Sequence, residues 1–535
     1  MVKIDKNKKN WQRVLYTLCF FALCLIDWAK VSLSGRIQMT ATNMTGIVMA
    51  FIIFSASNLK RFIKPVFALW LVMCTIAIPI GIQITLTVYP YKGQVISAAL
   101  NILLYGFILT RTLIDLIKFK KFIGLRVPIF IIWLGMLALM LFSVNENIWP
   151  IWYAIVFGSF YLTEFDKDTE KCILLSIPDG FILGFFAIQG MALLFRPYDV
   201  VRYVGFYVNP NFNALFYLMS YSAFLCKWYL LKKEGKHLIL RTILSLLAAS
   251  MYGFCIYTGS KSAMLAMLVI TVPFSLLFLK YCKNKVVSFA WNWMLLGAVG
   301  MISIPIVYVA IRYMPTIHLH PLYFEGEYSI DKVQPGEPRE SGRYISFKYA
   351  MENNVERYFY IIPKFGEYID TFLTLKVQAA ELEEYKAQEY LFSEDEVLTV
   401  GIDPAEMRRR ICKYYFDRLN MVGHTNDYEG APISPLYDYA PHAHNVFIQM
   451  AFLYGVPSGI LFILIVMAYV PACISLMRTG EDYRVCLISC YILAFVVFGF
   501  FEIDWMCGQL PFAMFFLLFR DVTRKSENQL NKCMV

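Results

Sequence analysis

The chain has 535 residues, of which 59% are hydrophobic and only 16% are charged, and its formal net charge is +10. This composition excludes an ordinary soluble domain and indicates a polytopic membrane protein. The positive charge does not imply a nucleic-acid partner, because the basic residues are concentrated in the connections between apolar segments.

Fourteen apolar segments follow one another along the chain, and a helix needs about 20 such residues to cross the hydrocarbon core of a bilayer. They predict an all-α membrane helix bundle with one large loop. The predicted spans are 12–33, 40–58, 65–88, 94–117, 127–144, 147–163, 172–195, 210–231, 238–258, 262–281, 288–311, 444–476, 483–502 and 507–520. Because the fifth and sixth spans are nearly contiguous and the last is short, a bundle of twelve or thirteen spans is the alternative.

The basic residues divide unevenly between the two sides of this predicted bundle. The side that holds the N-terminus carries Lys3, Lys6, Lys8, Lys9, Lys60, Arg61, Lys64, Lys118, Lys120, Lys121, Arg126, Lys232, Lys233, Lys236, Lys280, Lys283 and Lys285, and the C-terminal tail adds Arg520, Arg524 and Lys525. The short connections of the other side carry Lys30, Arg36, Lys92, Arg196, Arg202 and Lys261. This asymmetry predicts cytoplasmic termini and an extracytoplasmic large loop. The first span is too long for a signal peptide and lacks a small-residue cleavage site, so we expect it to be retained.

The chain therefore divides into a transmembrane part at 1–311, an extracytoplasmic loop at 312–443, three further spans within 444–520 and a cytoplasmic tail at 521–535. Within the loop, composition predicts helices at 344–358 and 367–390, a basic helix from Pro404 to Arg418, and irregular backbone over 421–443. Such backbone must pack on the loop helices or line a wet cavity, because lipid cannot satisfy its polar groups. Of the thirteen cysteines only Cys412 falls in the loop, so no loop disulfide is expected.

Three cations on the predicted outer face are candidates for binding an anion. Arg202 precedes the turn at 209–211 that starts the eighth span, Lys261 lies in the short connection before the tenth, and Arg343 lies in the large loop. Arginine suits bidentate recognition of phosphate, whereas lysine acts as a point charge. The alternatives are that Arg202 and Arg196 extend to the lipid head groups and that Lys261 is a solvated turn residue.

Histidines are concentrated at the same face. Five of the six lie in or at the end of the large loop, namely His318, His320, His424, His442 and His444. A histidine can deprotonate or orient a hydroxyl near neutral pH. Asn445 is placed to cap the following helix, and Glu502 falls level with the histidine pair at the end of the thirteenth span. The pair His442 and His444 could instead be polar caps at the interface.

A zinc site is a further alternative, because two His-X-His pairs are present. Metal sites need three or four convergent ligands, and the loop contains neither a cysteine pair nor a helical His-Glu-X-X-His sequence. We therefore expect no metal and no other cofactor at this face.

Together these segments resemble the O-antigen ligase/polymerase family of bacterial membrane glycosyltransferases. The matching pieces are Arg202 to Asn213, Thr258 to Ser262, Ser341-Gly342-Arg343, Gly423-His424 and His442 to Gly455, in this order over roughly residues 170–520. Each motif is short, and the specificity comes from their order and the loop topology.

The resemblance implies transfer of a glycan from an undecaprenyl-diphosphate carrier at the outer face of the bacterial cytoplasmic membrane, without metal. The acceptor would be another glycan unit (polymerase) or a glycolipid, lipid A core (ligase). By resemblance Arg202 and Arg343 would hold the diphosphate, with Lys261 beside them, and His444 or His442 would activate the acceptor hydroxyl. Asn445, His424 and Glu502 would contact the acceptor or support the site.

Two features depart from the family pattern. Lys261 stands where the family more often has arginine, and the interval between Arg343 and His444 is long, with an apparent insertion near 367–412 that could shape the choice of acceptor. We expect a polysaccharide polymerase, with a ligase second; sugar identity, linkage, acceptor and oligomeric state stay open. The alternatives from other classes are a polysaccharide or lipid-linked oligosaccharide transporter or flippase, and a subunit that docks other polysaccharide-assembly proteins through its loop.

Overall fold

The computed structural model describes residues 6–33, 36–55, parts of 68–83, 92–119, 125, 127–145, 149–162, 165, 167–199, 202–207, 209–234, 237–279, 284–317, 322, 404–428, 430–432, 439–479, 482–503 and 509–520. Several predicted features lie outside these residues: Arg343, His318, His320, the loop helices at 344–358 and 367–390, most of the span at 65–88, and the tail at 521–535.

The described chain is almost entirely helical. Its helices are α1 (Lys6–Ser32), α2 (Arg36–Ser55), α3 (Lys92–Phe119), α4 (Val127–Leu141), α5 (Trp149–Leu162), α6 (Lys167–Phe195), α7 (Pro210–Lys233), α8 (Leu238–Thr258), α9 (Lys261–Phe278), α10 (Lys285–Ile317), α11 (Pro404–Asp417), α12 (Val446–Tyr454), α13 (Val456–Thr479), α14 (Asp482–Leu487), a π-helical turn (Ile488–Ile492), α15 (Leu493–Gly499) and α16 (Leu510–Phe519). Two short strands, β1 (Ala431–Pro432) and β2 (Tyr439–Ala440), pair antiparallel in the loop.

Six stretches within these helices are long and apolar enough to cross a membrane: Asn10–Ser32, Asp168–Phe195, Pro210–Lys233, Leu238–Thr258, Lys285–Pro315 and Val456–Ile474. Large apolar side chains on their outer surfaces are exposed, for example Ile302 and Ile306 of α10. Water would not favour such a surface, whereas lipid would. The chain is therefore an all-α bundle that fits a multi-pass membrane protein.

The twelfth span, predicted as one helix over 444–476, is divided into α12 and α13. The break is at Gly455, whose φ of +88° is a conformation that side chains rarely adopt. The hydrophobic pattern continues through the break, so it could not reveal it. The predicted basic helix is confirmed as α11, and the turn at 209–211 starts α7, with Asn209 accepting a hydrogen bond from the Asn211 amide at 2.8 Å.

The loop segment that follows α11 packs against this break. The backbone N–H of Val456 donates to the carbonyl of Asn420 at 2.9 Å, and a side chain at either Gly423 or Gly455 would collide with the facing backbone. On the other side, the Asn145 amide group donates to the carbonyl of His424 at 2.9 Å. Backbone contacts thus hold the non-helical segment, and α12 begins at a fixed place relative to the loop.

Packing between helices brings distant parts of the chain together at one end of the bundle. α7 contacts α6 and α8, the π-helical turn contacts α7, and α11 contacts α12. The segment after α6 (202–207) therefore meets the α8–α9 turn, and the start of α12 meets the end of α15.

Candidate functional site

Arg202 is held in a fixed orientation by two neighbouring segments. Its Nε donates to the carbonyl of Thr258 at 2.7 Å, and its Nη2 donates to Oδ1 of Asn211 at 2.6 Å. The first partner ends α8 and the second lies in the first turn of α7. Arg202 is therefore held between two helix ends.

The turn after α8 is shaped around this arginine. Gly259 has a φ of +65°, and a Cβ placed there would lie 3.1 Å from Nε of Arg202. Glycine permits both the left-handed backbone and the close approach. Lys261, two residues further on, is the first residue of α9 and its side chain is exposed. The structure thus places two of the three predicted cations at the same corner of the bundle.

The histidine pair lies just before α12. The rings of His442 and His444 are 4.4 Å apart in an edge-to-face arrangement. Asn445 is the N-cap of α12, because its Oδ1 accepts from the amides of Phe447 and Ile448, and its Nδ2 donates to the carbonyl of Phe500 at 3.1 Å. His444 has a φ of 49°, which is uncommon for a residue with a side chain. Such a conformation is costly, and surrounding contacts must maintain it.

Glu502 connects the histidine pair to the loop helix. This carboxylate follows α15 and is only 2% exposed; its Oε2 is 3.2 Å from Nδ1 of His444, and its Oε1 is 2.7 Å from Nη2 of Arg408. A neutral His444 that donates from Nδ1 to Glu502 presents Nε2 as an acceptor. The arrangement is a base oriented by a buried carboxylate, which is common in enzymes that activate a hydroxyl.

The charges around Glu502 keep it ionised. Burial acts to raise the pKa of this carboxyl, but the hydrogen bond with His444 and the charges of Arg408 and Arg202 outweigh burial, so its pKa lies below the usual value. Arg202 makes the smallest of these contributions, so its guanidinium is close enough for its charge to act on Glu502, although the two residues are 300 positions apart in the sequence.

His442 behaves differently from its neighbour. Burial, followed by the charge on His444, lowers the pKa of His442 to about 4, so its ring is neutral near pH 7. Its Nδ1 is buried and has no hydrogen-bond partner among the described residues. A buried, unpaired ring nitrogen is costly unless something else binds it. This atom is therefore a candidate for contact with a bound hydroxyl.

His424 has a supporting position rather than a place in the cluster. Its Nδ1 is 2.8 Å from the carbonyl of Phe452, its Nε2 is 3.3 Å from Nδ2 of Asn420, and its ring stacks on that of Phe452 with centroids 3.8 Å apart. Both ring nitrogens are thus occupied in joining the loop to α12.

The sequence alone did not single out Arg408. It appears there as one of three consecutive arginines in a basic helix, and the pattern cannot tell which of them faces inward. The sequence feature that pointed to such a residue is Glu502 at the end of the thirteenth span, because a buried carboxylate needs a cationic partner. Arg343, the third predicted cation, lies outside the described residues. The structure thus brings together Arg202, His442, His444, Asn445 and Glu502.

Arg196, the other outer arginine, is also bound within the protein. Its Nε donates to the carbonyl of Gly205 at 3.0 Å and its Nη1 donates to the carbonyl of Leu322 at 2.7 Å. It therefore braces the segment that carries Arg202.

The arrangement can stabilise negative charge beside Arg202 and accept a proton at the histidine pair. No protein-family model and no curated protein matches this chain.

Proposed function

We propose that this protein is a membrane glycosyltransferase of the O-antigen ligase/polymerase type, acting at the outer face of the bacterial cytoplasmic membrane. The observation that carries the proposal is the pair of His444 and Glu502, in which a buried carboxylate orients a histidine within reach of the charge of the fixed Arg202 guanidinium. The donor would be an undecaprenyl-diphosphate-linked oligosaccharide. The acceptor would be a second glycan, or a glycolipid in a ligase.

The chemistry requires little covalent help from the protein, because a diphosphate is already a good leaving group. The acceptor oxygen attacks the anomeric carbon, the bond from that carbon to the diphosphate oxygen breaks, and the hydroxyl proton passes to Nε2 of His444. Arg202, with Lys261 and Arg343, would stabilise the charge that develops on the departing diphosphate. Positioning the two reactants supplies the remaining acceleration.

His442 would orient the acceptor. Its ring is neutral near pH 7 and could carry its proton on the buried Nδ1, which would then donate to a lone pair of the acceptor oxygen while the hydroxyl proton faces Nε2 of His444. Glu502 and Arg408 would act through His444 as positioning residues, since neither needs to touch the reacting atoms. Displacement with inversion would require the histidine pair and the diphosphate to lie on opposite faces of the sugar.

A direct transfer assay tests this proposal. The purified protein in lipid vesicles is supplied with an undecaprenyl-diphosphate oligosaccharide on its outer face, and products are separated by length. We expect lengthened glycan together with released undecaprenyl diphosphate. A flippase would relocate the lipid-linked oligosaccharide across the bilayer without changing its length, and that outcome would refute the transferase proposal.

A further inference from the structure

Three cysteine side chains meet inside the bundle, far from the histidine pair. Cys226 lies on α7, Cys486 lies on α14, and Cys490 lies in the π-helical turn that follows. All three are buried, and their Sγ atoms lie within 4.8 Å of one another. Thiolates are the preferred ligands of zinc and of cuprous copper.

The spacing of the sulfur atoms fits a metal site. Two thiolates bound to one zinc at about 2.3 Å with tetrahedral angles lie about 3.8 Å apart, and in a trigonal plane about 4.0 Å apart. The Sγ atoms of Cys226 and Cys486 are 3.8 Å apart, and neither is in a disulfide. A cation could therefore enter between them with little movement of the helices.

The backbone around the cluster is adapted to this convergence. Cys486 and Cys490 are four residues apart, so they lie on one face of their helix, and the π-helical turn Ile488–Ile492 widens the helix there. Such turns often accompany functional positions. The same turn is fixed to α7, because Oγ of Ser222 donates to the carbonyl of Cys490 at 3.0 Å.

A charged cluster beside Cys226 could balance the charge of bound thiolates. Lys227, the next residue, is 2.5 Å from Asp179, and Arg13 is 2.8 Å from the same carboxylate. These two cations and one anion have a net charge of +1. A zinc ion with three thiolates has a net charge of −1, which is opposite in sign to the net charge of this cluster.

We propose that Cys226, Cys486 and Cys490 bind one thiophilic metal ion, Zn(II) or Cu(I), which joins α7 to the helix that ends near Glu502. Binding of Zn(II) replaces three S–H bonds by three Zn–S bonds and releases three protons; Cu(I) binding needs at least two thiolates. The site is distinct from the transfer chemistry and does not depend on it.

The location gives this metal a structural role at a distance. The first turn of α7 contains Asn211, which holds Arg202, and α15 leads to Glu502, which holds His444. Cys226 and Asn211 are fifteen residues apart on α7, which corresponds to about 22 Å of helix at a rise of about 1.5 Å per residue. The metal would therefore fix the two helices whose far ends carry the two halves of the candidate site.

The proposal is tested by metal binding to the purified, full-length protein in detergent with a reductant. The protein is stripped with a chelator, given Zn(II) or Cu(I) in separate samples, and desalted, and bound metal is measured by mass spectrometry. We expect about one ion per chain. X-ray absorption should show sulfur neighbours at about 2.3 Å for zinc. The ion retained when both are supplied identifies the preferred occupant.

Matched serine substitutions locate the ion. Cys226→Ser, Cys486→Ser and Cys490→Ser should each lower metal retention at least tenfold, whereas Cys255→Ser, a buried cysteine of α8 outside the cluster, should bind like wild type. Added metal should raise the Tm of wild type and Cys255→Ser but not of the cluster variants. A wild-type protein that retains no metal, or cluster variants that retain as much as wild type, would show that these cysteines only pack the bundle.

Discussion

The role of Glu502 can be tested by Glu502→Gln, which keeps the size of the side chain and removes its charge. In the structure one carboxylate oxygen faces His444 and the other faces Arg408. Glutamine has a single acceptor oxygen, so its amide N–H₂ must face one of the two partners. The variant cannot orient His444 and pair with Arg408 at the same time.

The expected size of the effect follows from these contacts. Removing one partner of a fully buried ion pair costs about 3–5 kcal/mol. The Arg408 side chain is 40% exposed, so solvent weakens the attraction between Arg408 and Glu502 and reduces this cost. We expect the free energy of unfolding to fall by about 2 kcal/mol. Loss of an oriented base lowers rates by about 10²–10⁴-fold, and we expect a value near the lower end because His444 itself remains.

The assay separates positioning from structural damage. We expect kcat for glycan transfer to fall about 100-fold while KM for the lipid-linked donor changes less than threefold, because Arg202 is not altered. Asp427→Asn is the matched control, since it neutralises an exposed carboxylate of the same loop, and it should retain wild-type kcat. Unchanged kcat in a folded Glu502→Gln protein would refute the claim that this carboxylate orients the base.

Two further perturbations test other parts of the site. Gly259→Ala should lower glycan transfer at least tenfold, because the added Cβ would displace Arg202 and the φ of +65° disfavours a side chain. The control is Gly297→Ala, which should retain activity because a Cβ added at Gly297 would meet no neighbouring atom within 4 Å. Equal activity of the two variants would argue against a positioned Arg202. The pKa of His442 is about 4 in the folded protein and about 6.5 in the unfolded protein. Between these pH values the unfolded state binds more protons than the folded state. The stability that His442 contributes is therefore present above pH 6.5 and is lost as the pH falls through 4. The Tm of wild type should therefore fall relative to that of His442→Gln as pH is lowered from 7.5 to 4.5, and a difference independent of pH would contradict a buried neutral ring.

The sequence predicted those features that depend on local pattern. The apolar segments predicted an all-α membrane bundle, the sequence at 209–211 predicted the turn that starts α7, and Asn445 was predicted as a cap, because each prediction depends on residues that are close in the sequence. The pairing of Glu502 with Arg408 was not predictable, since both arise from tertiary packing between a span and a loop helix. The break at Gly455 was hidden for a similar reason: it is required by the loop backbone that lies against it.

The measurement that tests the account most directly is glycan transfer by two histidine variants that share one substitution. His444 and His237 both have positive φ, and asparagine tolerates that conformation, so His444→Asn and His237→Asn change the side chain with little backbone penalty. His237 lies at the opposite end of α8, about 32 Å of helix away from Arg202's partner Thr258. We expect His237→Asn to lengthen the lipid-linked glycan at the wild-type rate and His444→Asn to lengthen it at least 100-fold more slowly. Equal rates in the two proteins would contradict a catalytic role for the histidine beside Glu502.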